Sequence, residues 1–439
     1  MTPQDVVAML LILLGALVML LTLRLYHEQA KVSGEWARKL AHIGTGAMSI
    51  SFPWIFSSRI PVFIVCGASI TLLLAMRYVP FMRSHLSGVL NDVARESWGE
   101  LYFPFSVALL FQFAHGDKML YAVPLLVLTI ADTVAALTGA EYGKHGYATT
   151  EANKSVEGSI AFFCAAFFSV NVVLVVFSDV GRVETLLISL DIGVIVMLLE
   201  AIAWRGLDNI FIPLGVFVLL RLYLAMPVHQ LWNRFRVAVV LVIFVTAYAR
   251  KTTLQGSALL AAALVLYISW ALGGWQWLIP PAILLLSYTF FFPGKITAAD
   301  RTHNVYAVLS VASAGLVWLF LYRIWQQPDF FFPYTVAFAI HLAVIAWNLL
   351  YPRYSSVRVV MIACVLLSWV LMFAPYVLIE GRSRVSLVQS AAALVICFVA
   401  FGIFYLSEPR HEGIYPATTA RWWRQAGIVL LSTLAARIF

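Results

Sequence analysis

The chain has 439 residues, of which 62% are hydrophobic and 11% are charged, and it carries a net charge of +8 at pH 7. Soluble proteins contain about 25% charged residues, so the composition indicates a membrane protein. The basic residues are scattered through short loops, so membrane orientation explains the positive charge better than nucleic-acid binding does, and we expect no nucleic-acid partner.

Apolar runs of roughly 20 residues recur along the whole chain, and each is long enough to cross about 30 Å of hydrocarbon as a helix. Their residues do not alternate in polarity, which argues against strands. We therefore predict an all-α polytopic transmembrane helical bundle of roughly 14–16 spans. In chain order the candidate spans lie near 6–23, 40–57, 60–76, 101–114, 119–139, 158–178, 185–203, 208–226, 237–249, 257–273, 276–292, 305–324, 332–350, 358–379, 385–406 and 425–438.

Counting these spans alternately places about two thirds of all Lys and Arg residues on one side, which the positive-inside rule makes cytoplasmic. The N-terminus is then expected outside. The residues counted on the cytoplasmic side are Arg24, Lys31, Arg38, Lys39, Arg77, Arg83, Arg95, Lys144, Lys154, Arg205, Arg250, Lys251, Lys295, Arg301, Arg353, Arg358, Arg410, Arg421 and Arg424.

The first polar cluster begins the second span and contains Arg38, Lys39, His42 and Gly46. The spacing of Arg38, His42 and Gly46 is i, i+4, i+8, which puts them on one face of a helix. The basic side chains could face a phosphate, or they could form only a juxtamembrane anchor.

The second cluster lies in the run LLVLTIADTVAALTGAEYGKHG, where Asp132 sits inside an apolar helix. A charge there costs at least a few kcal/mol and is usually functional, although a structural contact between helices is the alternative. Gly139 and Gly143 follow on nearly the same face and allow a helix or a ligand to come close. Lys144 then opens a loop.

The third cluster, residues 153–159, contains Lys154, Ser155, Glu157 and Gly158 just before the sixth span. If this segment is helical, Lys154 and Glu157 stand one turn apart. A cation, a carboxylate and small residues together suit phosphoryl transfer, which depends on positioning and charge neutralisation. A helix cap with an exposed ion pair is the alternative.

The fourth cluster lies between two spans and contains Glu200, Arg205, Asp208 and Asn209. Its carboxylate and amide oxygens could hold Mg²⁺, which takes few protein ligands together with waters and substrate phosphates. A solvated turn would contain the same residues.

Four strings then carry a resemblance: R-K-L-A-H-x-x-x-G, A-D-T-x-A-x-x-x-G-x-x-x-G-K, K-S-x-E-G-S and G-x-D-N-x-x-I-P-L. In this order they resemble the polytopic CTP-dependent polyprenol kinase family, which includes dolichol kinases, phytol kinases and a fungal-type diacylglycerol kinase. The resemblance covers residues 30–220, and the K-S-V-E-G-S string is most similar to phytol kinases. It implies transfer of the γ-phosphate of a nucleoside triphosphate, CTP, to the hydroxyl of an isoprenoid or lipid alcohol such as phytol or dolichol.

The resemblance implies a role for the residues of each cluster, and we state these roles as hypotheses. Asp132, Glu157 and Asp208 would hold Mg²⁺, with Glu200 and Asn209 as further candidates. Lys144 and Lys154 would neutralise the triphosphate, aided by Arg38, Lys39, Ser155, Arg205 and the backbone around Gly143 and Gly158. Either Asp132 or His42 would take the proton of the attacking hydroxyl. The active site would face the cytoplasm, where the nucleotide arrives.

The motif-like clusters stop near residue 230. We therefore expect a lipid-alcohol kinase-like domain over residues 1–230 and an additional transmembrane region, of unknown role, over 231–439. Two other functions use similar residues. A CTP-dependent cytidylyltransferase would make a CDP-lipid and release pyrophosphate, and a multi-spanning transporter would use intramembrane acids to bind its substrate.

Overall fold

The computed structural model describes residues 2–30, 34–79, 98–149, 153–249, 251–291, 302–351, 354, 356–408 and 418–439. Several basic residues that the orientation prediction counts as cytoplasmic lie outside these ranges: Lys31, Arg83, Arg95, Arg250, Lys295, Arg301, Arg353 and Arg410. The chain divides into two compact units, Met1–Ala238 and Val239–Phe439.

The long helices of the first part of the chain are α1 Pro3–Ala30, α2 Gly34–Ile50, α3 Arg59–Tyr78, α4 Gly99–Phe113, α5 Lys118–Tyr142, α6 Val156–Phe177, α7 Arg182–Ile202, α8 Asp208–Tyr223 and α9 Val228–Tyr248. A short helical turn, Phe52–Ile55, separates α2 from α3. Strands β1 Gly146–Ala148 and β2 Asn153–Ser155 form an antiparallel hairpin between α5 and α6. The boundary between the two units falls within α9.

The second part of the chain continues with α10 Gly256–Gly273, α11 Trp275–Phe291, α12 Val305–Trp325, α13 Phe331–Leu350, α14 Val357–Ile379, α15 Arg384–Ser407 and α16 Thr419–Leu434. Two 3₁₀ turns, Pro328–Phe330 and Ala435–Ile438, flank α13 and α16. Each of the sixteen predicted apolar runs overlaps one long helix among the described residues. The prediction of an all-α polytopic bundle is confirmed.

Eleven helices in the described ranges are long and apolar enough to cross a membrane, which makes this an integral multi-pass membrane protein. The other five long helices, α2, α4, α8, α11 and α16, have only 15 to 17 residues. A helix needs about 20 residues to span the hydrocarbon core without help. The sequence prediction of 14–16 spans thus includes helices that are shorter than a full span.

Helix α5 organises the first unit. It packs against α2, α4, α6 and α8, and Val127, Leu128 and Ala131 on it are fully buried. Asp117 defines its start, because the Asp117 carboxylate accepts hydrogen bonds from the backbone N–H groups of Met119 and Leu120. Because α5 packs against four other helices, it brings residues of all four close to its own side chains.

Helix α13 has the same central place in the second unit. It packs against α11, α12, α14, α15 and α16, and almost all of its residues are buried. The buried Tyr334 hydroxyl donates a hydrogen bond to the Trp277 carbonyl at 2.6 Å and lies 3.0 Å from the Ser269 hydroxyl, which ties α13 to α11 and α10. The hydroxyl of this tyrosine is therefore satisfied inside an apolar core.

Candidate active site

Acidic and basic side chains from five segments converge at one end of the first unit. The segments are the first half of α2, the second half of α5, the β1–β2 hairpin, the end of α7 and the start of α8. A turn joins the end of α7 to the start of α8, and the hairpin joins α5 to α6, so ends and starts of helices meet here. Four polar clusters that are far apart in sequence are thereby placed together.

Lys39 and Asp132 form the first ion pair of the site. Lys39 is 4% exposed, and its Nζ donates a hydrogen bond to Asp132 Oδ2 at 2.5 Å. His42 lies one turn later on α2, with its Nε2 at 3.8 Å from the same carboxylate oxygen. The buried Nε2 atom of His42 has no hydrogen-bond partner among the described residues.

Close packing of α2 on α5 makes this contact possible. A side chain at Gly46 would collide with Thr129 of α5, so only glycine allows the two helices to come this close. Because His42 and Gly46 are one turn apart, the same face of α2 carries the packing contact and the imidazole.

Lys154 and Glu200 form the second ion pair. The Lys154 ammonium donates to Glu200 Oε1 at 2.6 Å and also to the Glu200 carbonyl oxygen. The Glu200 side chain is 11% exposed, whereas the Lys154 side chain is 26% exposed. Burial opposes the charge of Lys154, but the Glu200 carboxylate more than offsets this and raises the pKa of Lys154. Lys154 is therefore a charged ammonium at neutral pH.

The hairpin presents Lys154 to this end of the bundle. In its register Tyr147 pairs with Lys154, and the Tyr147 hydroxyl is 2.8 Å from the Ser159 hydroxyl of α6. Helix α6 begins only at Val156, with Ser155 as the N-cap that accepts a hydrogen bond from the Gly158 N–H at 3.1 Å. A helix from Lys154 onward, the condition for placing Lys154 one turn from Glu157, does not form, because hairpin pairing and the cap hold Lys154 in an extended strand.

Asp208, the first residue of α8, completes the cluster. It interacts electrostatically with Asp132, Lys154, Lys39 and His42. A tight turn brings it back beside Glu200, with left-handed backbone at Arg205 (φ 50°) and Gly206 (φ 82°). The Arg205 carbonyl accepts a hydrogen bond from the Trp98 N–H at 3.1 Å, which holds this turn against the start of α4. We name the set Lys39, His42, Asp132, Lys154, Glu200 and Asp208 the acid–lysine cluster.

The glycines of α5 pack against the residues that begin α6. A side chain at Gly139 would lie 3.2 Å from the Ser155 hydroxyl, and one at Gly158 would lie 3.1 Å from the Ala135 carbonyl. The Gly143 N–H donates to the Gly139 carbonyl at 3.2 Å. In this conformation the N–H groups of Gly143 and Gly158, both predicted phosphate contacts, are engaged in hydrogen bonds within the protein.

Other predicted site residues point elsewhere. The Glu157 carboxylate accepts a hydrogen bond from the His145 backbone N–H and lies 2.6 Å from His145 Nδ1, at the exposed hairpin. The side chains of Lys144 and Arg205 are exposed. Asn209 donates to the Gly206 carbonyl at 3.3 Å within its own turn.

Arg38 is outside the acid–lysine cluster but interacts with one of its members. It is half-buried and interacts electrostatically with Asp132 and with Glu100, the second residue of α4. Glu100, His145 and Tyr147 are not among the predicted site residues. The only sequence signal for the last two is their position beside Lys144, because three-residue strands are too short to show a period.

The carboxylates of the cluster suit Mg²⁺, which is bound through one or two protein carboxylates with waters and substrate phosphates. Within the described residues, no group of three or more His, Cys, Asp or Glu side chains is placed so that it could hold a metal ion, so water and substrate phosphate would have to supply further ligands. Of the five predicted ligands, the acids Asp132, Glu200 and Asp208 lie in the cluster, and Glu200 is bonded to Lys154. A donor set of carboxylate oxygens at a shared site fits a hard cation.

Comparison with known proteins bears on the function of this site. The chain is 31% identical over 204 residues to a phytol kinase of Synechocystis sp. (strain ATCC 27184 / PCC 6803 / Kazusa), a match that covers 46% of this chain and 84% of the relative. This chain belongs to the same family as that phytol kinase. The relationship indicates an enzyme of the lipid-alcohol kinase kind. No family model matches the chain, and no solved structure does.

Proposed function

We propose that the first unit is a membrane kinase that transfers the γ-phosphoryl group of CTP to the hydroxyl of an isoprenoid alcohol of the phytol type. One observation carries the proposal: Asp132, Glu200 and Asp208 lie around the buried Lys39 and the half-buried Lys154 at one end of a bundle related to a phytol kinase. Phosphoryl transfer needs this combination, because catalysis rests on positioning and on neutralising phosphate charge.

The lysines act on the nucleotide. Lys39 and Lys154 are held in place by Asp132 and Glu200, so their ammonium groups are oriented before any phosphate arrives. Arg38 and the exposed Lys144 add positive charge at the same end of the first unit. Mg²⁺, held by Asp132 and Asp208, would neutralise phosphate charge when the nucleotide is bound.

His42 acts as the general base. Its Nε2 is buried without a hydrogen-bond partner in the described ranges, and a hydrogen bond to the Leu128 backbone orients the ring. Asp132, the other candidate, already accepts a hydrogen bond from Lys39, and this makes it a poorer base. As the alcohol oxygen bonds to the γ-phosphorus, its proton passes to His42, the bond to the β–γ bridging oxygen breaks, and CDP leaves with the lipid phosphate.

The position of the cluster suits both substrates. Asp132 lies within α5, a helix long enough to span the membrane, and Lys154 lies on the hairpin that follows it. A lipid alcohol can lie in the bilayer with its hydroxyl at this depth, and the nucleotide can reach the site from water. The positive-inside rule supports a cytoplasmic orientation for this end, with the N-terminus outside.

The test is a transfer assay with the purified full chain, Mg²⁺ and CTP labelled at the γ-phosphate. The acceptors are phytol, geranylgeraniol, farnesol, dolichol and diacylglycerol, each compared with a no-lipid control, and ATP is tried as the donor in parallel. We expect label in the lipid fraction with phytol. Release of pyrophosphate would instead assign a cytidylyltransferase, and no nucleotide turnover with any acceptor would favour a transporter.

A further inference from the structure

A pocket lies at the end of the first unit opposite the acid–lysine cluster. It is a cavity of about 300 Å³ lined by residues that follow the turn Phe52–Ile55, by the end of α4 and by the start of α5. Asp117 in its lining precedes Asp132 by 15 residues of α5, a rise of about 22 Å along the helix axis. The pocket is therefore distinct from the candidate active site.

One wall of this pocket is polar. The Arg59 guanidinium donates one hydrogen bond to Gln112 Oε1 at 3.2 Å, which uses one of its five N–H donors and orients the group. Beside it the Ser58 hydroxyl oxygen is buried and has no hydrogen-bond partner among the described residues. Ser58 stands at the N-cap of α3, but its side chain makes no capping bond.

The floor of the pocket is apolar. Phe56, Phe111 and Tyr121 line it, and the Tyr121 hydroxyl is engaged with the Ser49 carbonyl at 2.9 Å, so the pocket meets mainly the tyrosine ring. Nearby, the exposed Trp54 ring lies 5.4 Å from the Lys118 ammonium. Tryptophan and lysine at the ends of spans are typical of the membrane–water interface.

We propose that this pocket binds the phosphate group of a membrane lipid from the leaflet opposite the candidate active site. A guanidinium presents paired donors that match phosphate oxygens, and the Ser58 hydroxyl adds a further donor. The aromatic floor covers the glycerol and upper acyl carbons. Asp117 also lines the pocket, but its carboxylate caps α5 through the N–H groups of Met119 and Leu120.

The experiment is native mass spectrometry of the full chain in detergent, titrated with dioleoyl phosphatidylglycerol. A glucosyl diacylglycerol with the same acyl chains tests whether phosphate is needed, and inorganic phosphate at millimolar concentration tests a free anion as competitor. We expect one tightly held phosphatidylglycerol, weaker binding of the glycolipid, and no displacement by inorganic phosphate. Equal retention of the glycolipid overturns the proposal, and so does displacement by free phosphate.

Variants locate the site. Arg59→Gln is expected to weaken phosphatidylglycerol binding about tenfold, the effect of losing a charge-assisted hydrogen bond. Ser58→Ala is expected to weaken it about threefold without harm to the fold, because the hydroxyl has no hydrogen-bond partner among the described residues. Arg182→Gln is the matched control, since Arg182 is an exposed arginine at the start of α7, outside the pocket. Unchanged affinity in both pocket variants, or an equal loss in the control, refutes the assignment.

Discussion

Removing the Lys154 ammonium separates a catalytic role of this lysine from a structural one. In Lys154→Met the Glu200 side chain, 11% exposed, keeps its charge without its partner. Breaking a buried pair from one side costs about 3–5 kcal/mol. Because the Lys154 side chain is 26% exposed, we expect the lower end of this range, about 3 kcal/mol.

For a unit of this size, such a loss corresponds to a fall of about 6–12 °C in melting temperature. The double variant Lys154→Met/Glu200→Gln removes both charges together, so we expect it to regain most of that stability. Its activity should stay at least about 100-fold below the parent, because the cation for the phosphates is still missing.

Two measurements check this: thermal unfolding in detergent and the γ-phosphate transfer assay. Lys118→Met is the matched control, an exposed lysine at the other end of α5, and it should keep both stability and activity. Recovery of activity in the double variant would show that Lys154 is structural. An unchanged melting temperature in the single variant would show that the pair is not buried as described.

Three further predictions follow from the same site. Gly46→Ala should lower activity at least about tenfold and also reduce stability, because the new methyl group collides with Thr129, whereas Gly67→Ala on α3 meets open space and should be neutral by both measurements. Asp208→Asn should lower the transfer rate about 100-fold and Glu157→Gln by less than about tenfold, since only Asp208 faces the two lysines; equal losses would contradict this geometry. Chelation with EDTA should stop phosphate transfer and added Mg²⁺ should restore it, while full activity in EDTA would exclude a need for the cation.

The helices and the presence of a polar site could be predicted from the sequence, because both depend on local patterns. Apolar runs of about 20 residues indicate spans wherever they occur. Asp132 stood out because an ionisable residue inside such a run is costly. The partners of these acids could not be predicted in the same way. Lys39 and Asp132 are 93 residues apart, and helix packing alone decides their meeting.

The β1–β2 hairpin shows a second limit of prediction from the sequence. Its strands have three residues each, too few to display a period of two, so the sequence leaves open whether Lys154 lies on the helix or before it. A helix over this segment would place Lys154 one turn from Glu157, whereas the structure pairs Lys154 with Glu200. The Ser155 cap was the available signal, since a serine before a run of helix formers favours a helix start.

The enclosed position of α13 has a consequence for how the second unit is made. A newly inserted helix first meets lipid, and it exchanges lipid for protein contacts only as later helices arrive. Because α14, α15 and α16 follow α13 in the chain and cover it, the surface of α13 that becomes core must first be compatible with the bilayer. His341 is one of the polar residues on this surface, and its Nδ1 meets the Gln425 amide of α16 at 3.0 Å. The core around α13 is therefore complete only when α16 has packed against it.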